Sequence, residues 1–495
     1  MTVKVTFQSA LLIVGLSSAP FGMAHAQSAD VAQSRQTRTE GRSTAQAGAV
    51  DSLNTALQRA FVFNPDIRAQ RSALRAAVEQ IPQARSAQLP QVSATTYAGV
   101  NATTSLFRGN PNFGSGGTIG QRGVGLAATQ NLYDGGKTPN AVWQASSQVT
   151  AAREQLRAIE QGILLEVVTT YLATFTGQAL VEVQKRNVAF LQETLNTTRT
   201  RLGAGVATPT DVSQAEARLS RGRADLNAVE TDLSVARDRF TRLVGAMPGN
   251  LRPVSAIDRL LPRNADSARS AASGQNPAVL AAVANVRAAE AAVRISQAQM
   301  LPQVNLQAQV SRDYDTEIGT RRIDSAQVVG RVTVPLYQGG GPEAQTRQSR
   351  ELLGQTQSQL DSARLQARSS AFAGYRAFEN ATFAVRAATD EVRAASETVE
   401  GVRRQQEAGL RTIQELLNAQ QDFVSARSRL VLAQSDRLIA SYTVLAATGR
   451  LEFEVVGIAR PRVPDVAAQT DFGVRTDAWR DLRAPVGPSP APSSP

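Results

Sequence analysis

Leu132-Tyr133-Asp134-Gly135-Gly136 opens, and Gly205-Val206-Ala207-Thr208-Pro209-Thr210-Asp211 closes, the stretch whose reading decides the fold. Both brackets return 204 positions later, as Leu336-Tyr337-Gln338-Gly339-Gly340 and Gly409-Leu410-Arg411-Thr412-Ile413-Gln414-Glu415. After Pro139 in one copy and Pro342 in the other, roughly 65 residues pass without a proline. The pattern predicts a turn, one very long helix, a second turn and a return helix, made twice.

Apolar residues within these stretches keep a coiled-coil spacing. Val149, Ala152, Leu156, Ile159 and Ile163 step three and four apart, as do Val385, Ala388, Val392, Ala395, Val399 and Val402. A seam with so many small residues lets helices pack closely. At about 1.5 Å per residue each helix would reach about 100 Å. Gly205 and Gly409 mark its far end, and Gly135, Gly136, Gly339 and Gly340 its near end, where glycine supplies backbone conformations other residues avoid.

Upstream, the duplication continues. Asn64-Pro65 and Asn276-Pro277 each precede a helical pattern, and each pattern ends in Leu-Pro-Gln-Val, at Leu89 and Leu301. There the period drops to two. Val92, Ala94, Thr96, Ala98 and Val100 alternate with polar residues or glycine, and Val304, Leu306, Ala308 and Val310 with polar residues; Val124, Leu126 and Ala128, and Val328, Gly330, Val332, Val334 and Leu336, form two further runs of period two. Each copy therefore holds two strands, of roughly ten residues, joined by a polar loop. Ten residues suit a tilted strand crossing a bilayer. Four strands cannot close a barrel, but three chains would supply twelve.

The domain plan follows: 1–26 a secretory signal with Lys4, a short apolar core and Ala24-His25-Ala26; 27–49 a flexible segment; 50–247 the first repeat; 248–275 a linker with three prolines; 276–449 the second repeat; 450–495 a C-terminal periplasmic segment and a disordered Pro/Ser tail. No mature segment reads as a membrane-spanning apolar helix.

Composition narrows the chemistry. There is no cysteine, and His25 is the one histidine, so thiol and histidine chemistry are excluded from the mature chain. No paired carboxylates, phosphate loop or metal spacing stands out, so we expect no catalytic residues, no cofactor and no metal. The net charge of +11 is spread as arginines among Asp and Glu, which reads as solvated helix faces rather than a nucleic-acid footprint. A periplasmic helical-hairpin adaptor or a structural coiled-coil envelope protein would share the helices. Neither accounts for the doubled hairpin with strand pairs.

In their order and doubling, Asn64-Pro65, Leu132 to Gly136, Thr210-Asp211 to Ala217 and Gly409 to Ala419 resemble the TolC family of outer-membrane efflux and type I secretion ducts, over about residues 50–450. The resemblance implies a mainly α fold with a small β part. Duplicated long hairpins form an α-barrel, and four strands per chain join a shared trimeric twelve-stranded barrel in outer-membrane lipid. It implies a passive homotrimeric duct for drugs or unfolded proteins. Its partners would be a periplasmic adaptor (membrane fusion) protein and an inner-membrane RND, ABC or MFS transporter. It also implies a tip gate of Thr210, Asp211, Arg411 and Glu415, in which Arg411 reaches Asp211 and the Thr210 hydroxyl while Glu415 faces the pore. Gln406, where an aromatic is frequent in the family, and the neutral Asn418 depart from its pattern.

Overall fold

The computed structural model describes residues 50–106, 114–316 and 321–459. The expected signal, N-terminal segment and C-terminal tail from residue 460 onward, with parts of both strand-joining loops, lie outside the described residues.

Two helices of 67 residues each dominate, α4 (Lys137–Gly203) and α8 (Gly341–Glu407). Each folds back on a return helix, α5 (Pro209–Val244) or α9 (Ile413–Ala447). The short helices are α1 (Leu53–Phe63), α2 (Pro65–Val78), α3 (Gln80–Ser86), α6 (Ala265–Gln275) and α7 (Pro277–Ala298). The first three pack along α4, α6 packs on α8, and α7 lies between α4 and α8.

The doubled Asn-Pro has one cause in both places. A residue before proline is pushed out of the helical region, so α1 and α6 stop at Asn64 and Asn276, whose ψ angles are 125° and 127°. Each asparagine then caps the next helix. Asn64 Oδ1 accepts from the Asp66 and Ile67 amides and Asn276 Oδ1 from the Ala278 amide, with proline at the first helical position. The copies differ at Pro82. Its ring clashes with the carbonyl four residues back, and α2 ends there, at Val78, while α7 runs on unbroken for 22 residues.

Residues 265–275, inside the segment read as linker, form α6. It has the 11 residues of α1 and a capping box from Asn264 and Ser267. Its buried residues are only Ala268 and Ala272, which leave a faint apolar signal.

By length and composition alone α4 is apolar enough to cross a membrane, where the sequence reading expects no such helix. Packing gives the apolar side chains another role. Ile163, Leu164, Val167, Val168, Tyr171 and Leu172 are buried in the main core with Phe61, Phe240, Tyr442 and Phe453. Tyr171 is fully buried, and its hydroxyl lies 2.8 Å from the Arg252 carbonyl and 3.1 Å from that of Asp51. Tyr375, 204 positions on, donates to the Arg263 carbonyl at 2.9 Å.

The four strands, β1 (Gln91–Leu106), β2 (Gly114–Tyr133), β3 (Gln303–Tyr314) and β4 (Arg322–Thr333), form one antiparallel sheet in sequence order. The repeats meet at β2–β3, so β1 and β4 are left as open edges. Register sorts the faces. Val92, Ala128, Ala308 and Val328 align across the sheet, as do Ala94, Leu126, Val310 and Ala326. The alternate rows are polar: Ser93, Ala127, Gln309 and Gln327, then Thr95, Gly125, Ser311 and Ser325. The apolar side is open to solvent, with Val92 73% and Val328 72% exposed.

Candidate functional site: helix tips and strand-to-helix turns

Both tips have one construction. Each long helix ends in a glycine of left-handed backbone, Gly205 (φ 75°) or Gly409 (φ 77°). The next amide reaches back five residues, Val206 to the Arg201 carbonyl at 2.9 Å and Leu410 to that of Gln405 at 2.8 Å. This is the Schellman closure that glycine permits. A capping box follows. Thr208 Oγ1 accepts from the Asp211 amide and Asp211 accepts from the Thr208 amide; Thr412 and Glu415 repeat the exchange. The caps are thus Thr208 and Thr412, which sequence reasoning passed over although Thr-x-x-Asp and Thr-x-x-Glu signal a box. Thr210 is exposed on the first turn of α5.

The expected reach of Arg411 to Asp211 is absent within the chain. Arg411 Nη1 donates to Glu415 Oε1 at 2.6 Å and its Nε to Gln405 at 3.1 Å. Glu415 is one helical turn away on the same hairpin, and Asp211 is engaged by Thr208, so the local pair forms. The Thr412 amide, then Arg411, holds the Glu415 carboxyl below its usual range. Other residues tie the two hairpins near the tip. Arg218 donates to Asn418 Oδ1 at 2.8 Å, Gln420 to the buried Asn187 at 3.3 Å, and Leu417 packs among Leu191, Leu195 and Leu219. Arg218 and Asn187 were not singled out from sequence, because their partners lie 200 and 233 positions away. A groove of about 110 Å³ separates the tips of α4 and α8, with Phe190, Arg201, Arg403 and Gln406 among its walls.

At the other end, Gly136 and Gly340 cap α4 and α8 from the left-handed region, with Gly135 and Gly339 also at positive φ. A β-carbon on Gly135 would stand 2.7 Å from the Ala298 carbonyl oxygen, so both backbone angle and space require glycine there. The first turn is further knotted by the buried Asp134, which accepts from the Gly136 amide at 3.1 Å, the Thr138 amide at 2.8 Å and the Thr138 hydroxyl. The second copy has Gln338 and Pro342 at these positions and lacks the knot.

A β-bulge between Asn131 and Tyr133 brings Tyr133 opposite Val304, in the apolar row. Tyr314 lies ten residues beyond Val304 on the same face, with the Arg122 guanidinium 5.5 Å from its ring centre. The tyrosines are separated by about 33 Å along the strand, or about 25 Å in height at a barrel tilt near 40°. Between these aromatic edges the face is lined on β3 by Val304, Leu306, Ala308 and Val310, with the paired Arg312 and Asp324 one row short of Tyr314. Among the described residues no group of three or more metal-ligating side chains occurs.

Comparison with known proteins agrees with this geometry. Residues 56–246 and 268–450 match the family described as outer membrane efflux protein. Outer membrane efflux protein BepC of Brucella suis biovar 1 is 33% identical over 446 residues, 90% of this chain and 94% of its own. The fusaric acid resistance protein FusA of Burkholderia cepacia is 28% identical over 59% of this chain and 57% of its own. The Campylobacter jejuni CmeC outer membrane channel superposes with a TM-score of 0.71 at 14% identity, over 84% of this chain and 88% of that one. A doubled helical hairpin on a two-faced sheet and a family match spanning both repeats lead to one conclusion: the chain belongs to the outer membrane efflux protein family.

Proposed function

We propose that the protein is the outer-membrane exit duct of a tripartite efflux pump or type I secretion system. Three copies join their open β1 and β4 edges into a twelve-stranded barrel, and the six hairpins extend into the periplasm as a tunnel. The tips meet a periplasmic adaptor, behind which stands an inner-membrane RND, ABC or MFS transporter. The duct conducts passively and needs no catalytic centre. The observation that carries this reading is the sheet register. It collects most of the apolar side chains on one face, between tyrosines spaced at membrane height, yet leaves two edges that lipid would not tolerate unpaired. FusA is named for resistance to fusaric acid, which supports a small toxic compound as cargo; secreted protein is the alternative. Thr210, Asp211, Arg411 and Glu415 guard the periplasmic entrance in this reading. Crosslinking in mild detergent gives a ladder that stops at three; a monodisperse monomer would sink the shared barrel.

A further inference from the structure

The polar face of the sheet is the lumen of the proposed barrel, and it is almost free of charge. Along β1 it carries Gln91, Ser93, Thr95 and Tyr97, and along β3 Gln303, Asn305, Gln307 and Gln309; β2 adds Thr129, Ala127 and Gly125, and β4 Val329, Gln327 and Ser325, all uncharged. Two charged residues interrupt it, at opposite ends. Asp313, toward the hairpin loops, is engaged by the hydroxyls of Tyr97 at 2.9 Å and Ser311 at 2.8 Å. Arg331, toward the helices, aligns with Asn305 and, through it, Asn131. It is exposed. The sheet's other arginines are paired: Arg122 with Asp315, and Arg312 and Arg322 with Asp324. Arg331 has no carboxylate within ion-pair distance among the described residues.

We propose that Arg331 forms a threefold ring at the periplasmic end of the barrel lumen that holds polyvalent oxyanions. This rests on the trimeric duct reading. Twelve strands about 4.8 Å apart, tilted near 40°, enclose a wall roughly 24 Å across. Three guanidiniums reaching inward from it share a neutral lumen, and at 0.1 M salt their fields extend about 10 Å. The guanidinium fork matches phosphate and carboxylate oxygens, and the Asn131 and Asn305 carboxamides supply further donors in the same row. An anion of several charges engages more than one arginine, whereas a monovalent ion gains little. The ring thus favours acidic solutes as they leave the tunnel and enter the barrel.

The test is single-channel current in planar bilayers, with tripolyphosphate added on the barrel side in 0.1 M KCl. Wild-type current is blocked, and Arg331→Gln raises the half-blocking concentration by roughly tenfold or more. Arg331→Lys, which keeps the charge but not the fork, falls between. Raising KCl to 1 M relieves the block, since the Debye length shrinks to about 3 Å. Equal block of wild type and Arg331→Gln overturns the ring, as does a conducting wild type that tripolyphosphate never blocks. A wild type that neither conducts nor assembles as a trimer fails the duct reading itself, and the ring with it.

Discussion

The two repeats make the same backbone from different side chains. The first places Tyr171 in a core of large apolar groups, Phe61 and Phe240 with Leu451 and Phe453 from the C-terminal segment among them, and buries an ion pair, Arg71 to Glu160 at 3.4 Å, with Arg71 4.3 Å from the Phe61 ring centre. The second places Tyr375 in a smaller cluster of Ala268, Ala272, Ala367 and Ala371 with Val279 and Val444. Position for position, Glu160 becomes Arg364, which is exposed and reaches its own neighbour Asp361. The first strand-to-helix turn is knotted by Asp134, and the second rests on glycine geometry and Pro342 alone. Backbone signals thus suffice to repeat the fold, while cohesion within a single chain is concentrated in the first repeat. The second leaves Leu336 93%, Tyr337 87% and Phe383 70% exposed, apolar surface available to neighbours in an assembly.

Breaking the buried pair sharpens this contrast most. Arg71→Met removes the cation 3.4 Å from Glu160, in a site where both side chains are about nine-tenths buried. We expect a loss of about 3 kcal/mol, read as a lower urea midpoint. Arg364→Met, on the exposed counterpart of Glu160, changes stability by less than about 0.5 kcal/mol. Equal losses would mean that the repeats share cohesion evenly.

Next in size is the knot. Asp134→Ala strands two backbone amides and the Thr138 hydroxyl, at a cost of about 2 kcal/mol. Gln338→Ala, on the exposed counterpart, moves the midpoint by less than about 0.5 kcal/mol. Hydrogen exchange at the Gly136 and Thr138 amides localises the effect, and unchanged protection there in Asp134→Ala would refute it.

The smallest effects are expected at the tips, where pairs are exposed and worth little in stability. Their readout is conduction. Arg218→Ala, which removes the tie to Asn418 between the hairpins, raises single-channel conductance, whereas Glu415→Ala weakens cation preference without doing so. Glu415 is held below its usual range by the Thr412 amide and Arg411. Its charge, and the interactions that depend on it, therefore persist as pH falls through the ordinary glutamate range and are lost only below it. Unchanged conductance in Arg218→Ala would mean that this tie does not hold the tips closed.

Local chemistry made much of the fold legible. Proline-free runs, glycines at left-handed turns, Asn-Pro dipeptides and a period of two act over a few residues, and they specify helices, breaks and strands before any contact forms. Doubling made the pattern hard to mistake. Helix α6 escaped because its apolar face is two alanines, too little area to stand out from a Ser- and Gly-containing segment.

What the tertiary structure alone decided is which distant groups meet. Arg411 turned to Glu415 rather than Asp211 because one helical turn separates the first pair, while the second spans two hairpins whose relative height no periodicity encodes. Arg218 with Asn418, Arg71 with Glu160, and the Asn131–Asn305–Arg331 row likewise depend on register between segments. A slip of one residue in a strand reverses its faces, and a bulge placed Tyr133 with Val304. The sequence by itself determined the repeat, its turns and its strands, since these are set by backbone preference within a few residues. Partners and faces were left to packing, where burial and hydrogen bonding between remote segments select one register among several that local preference allows.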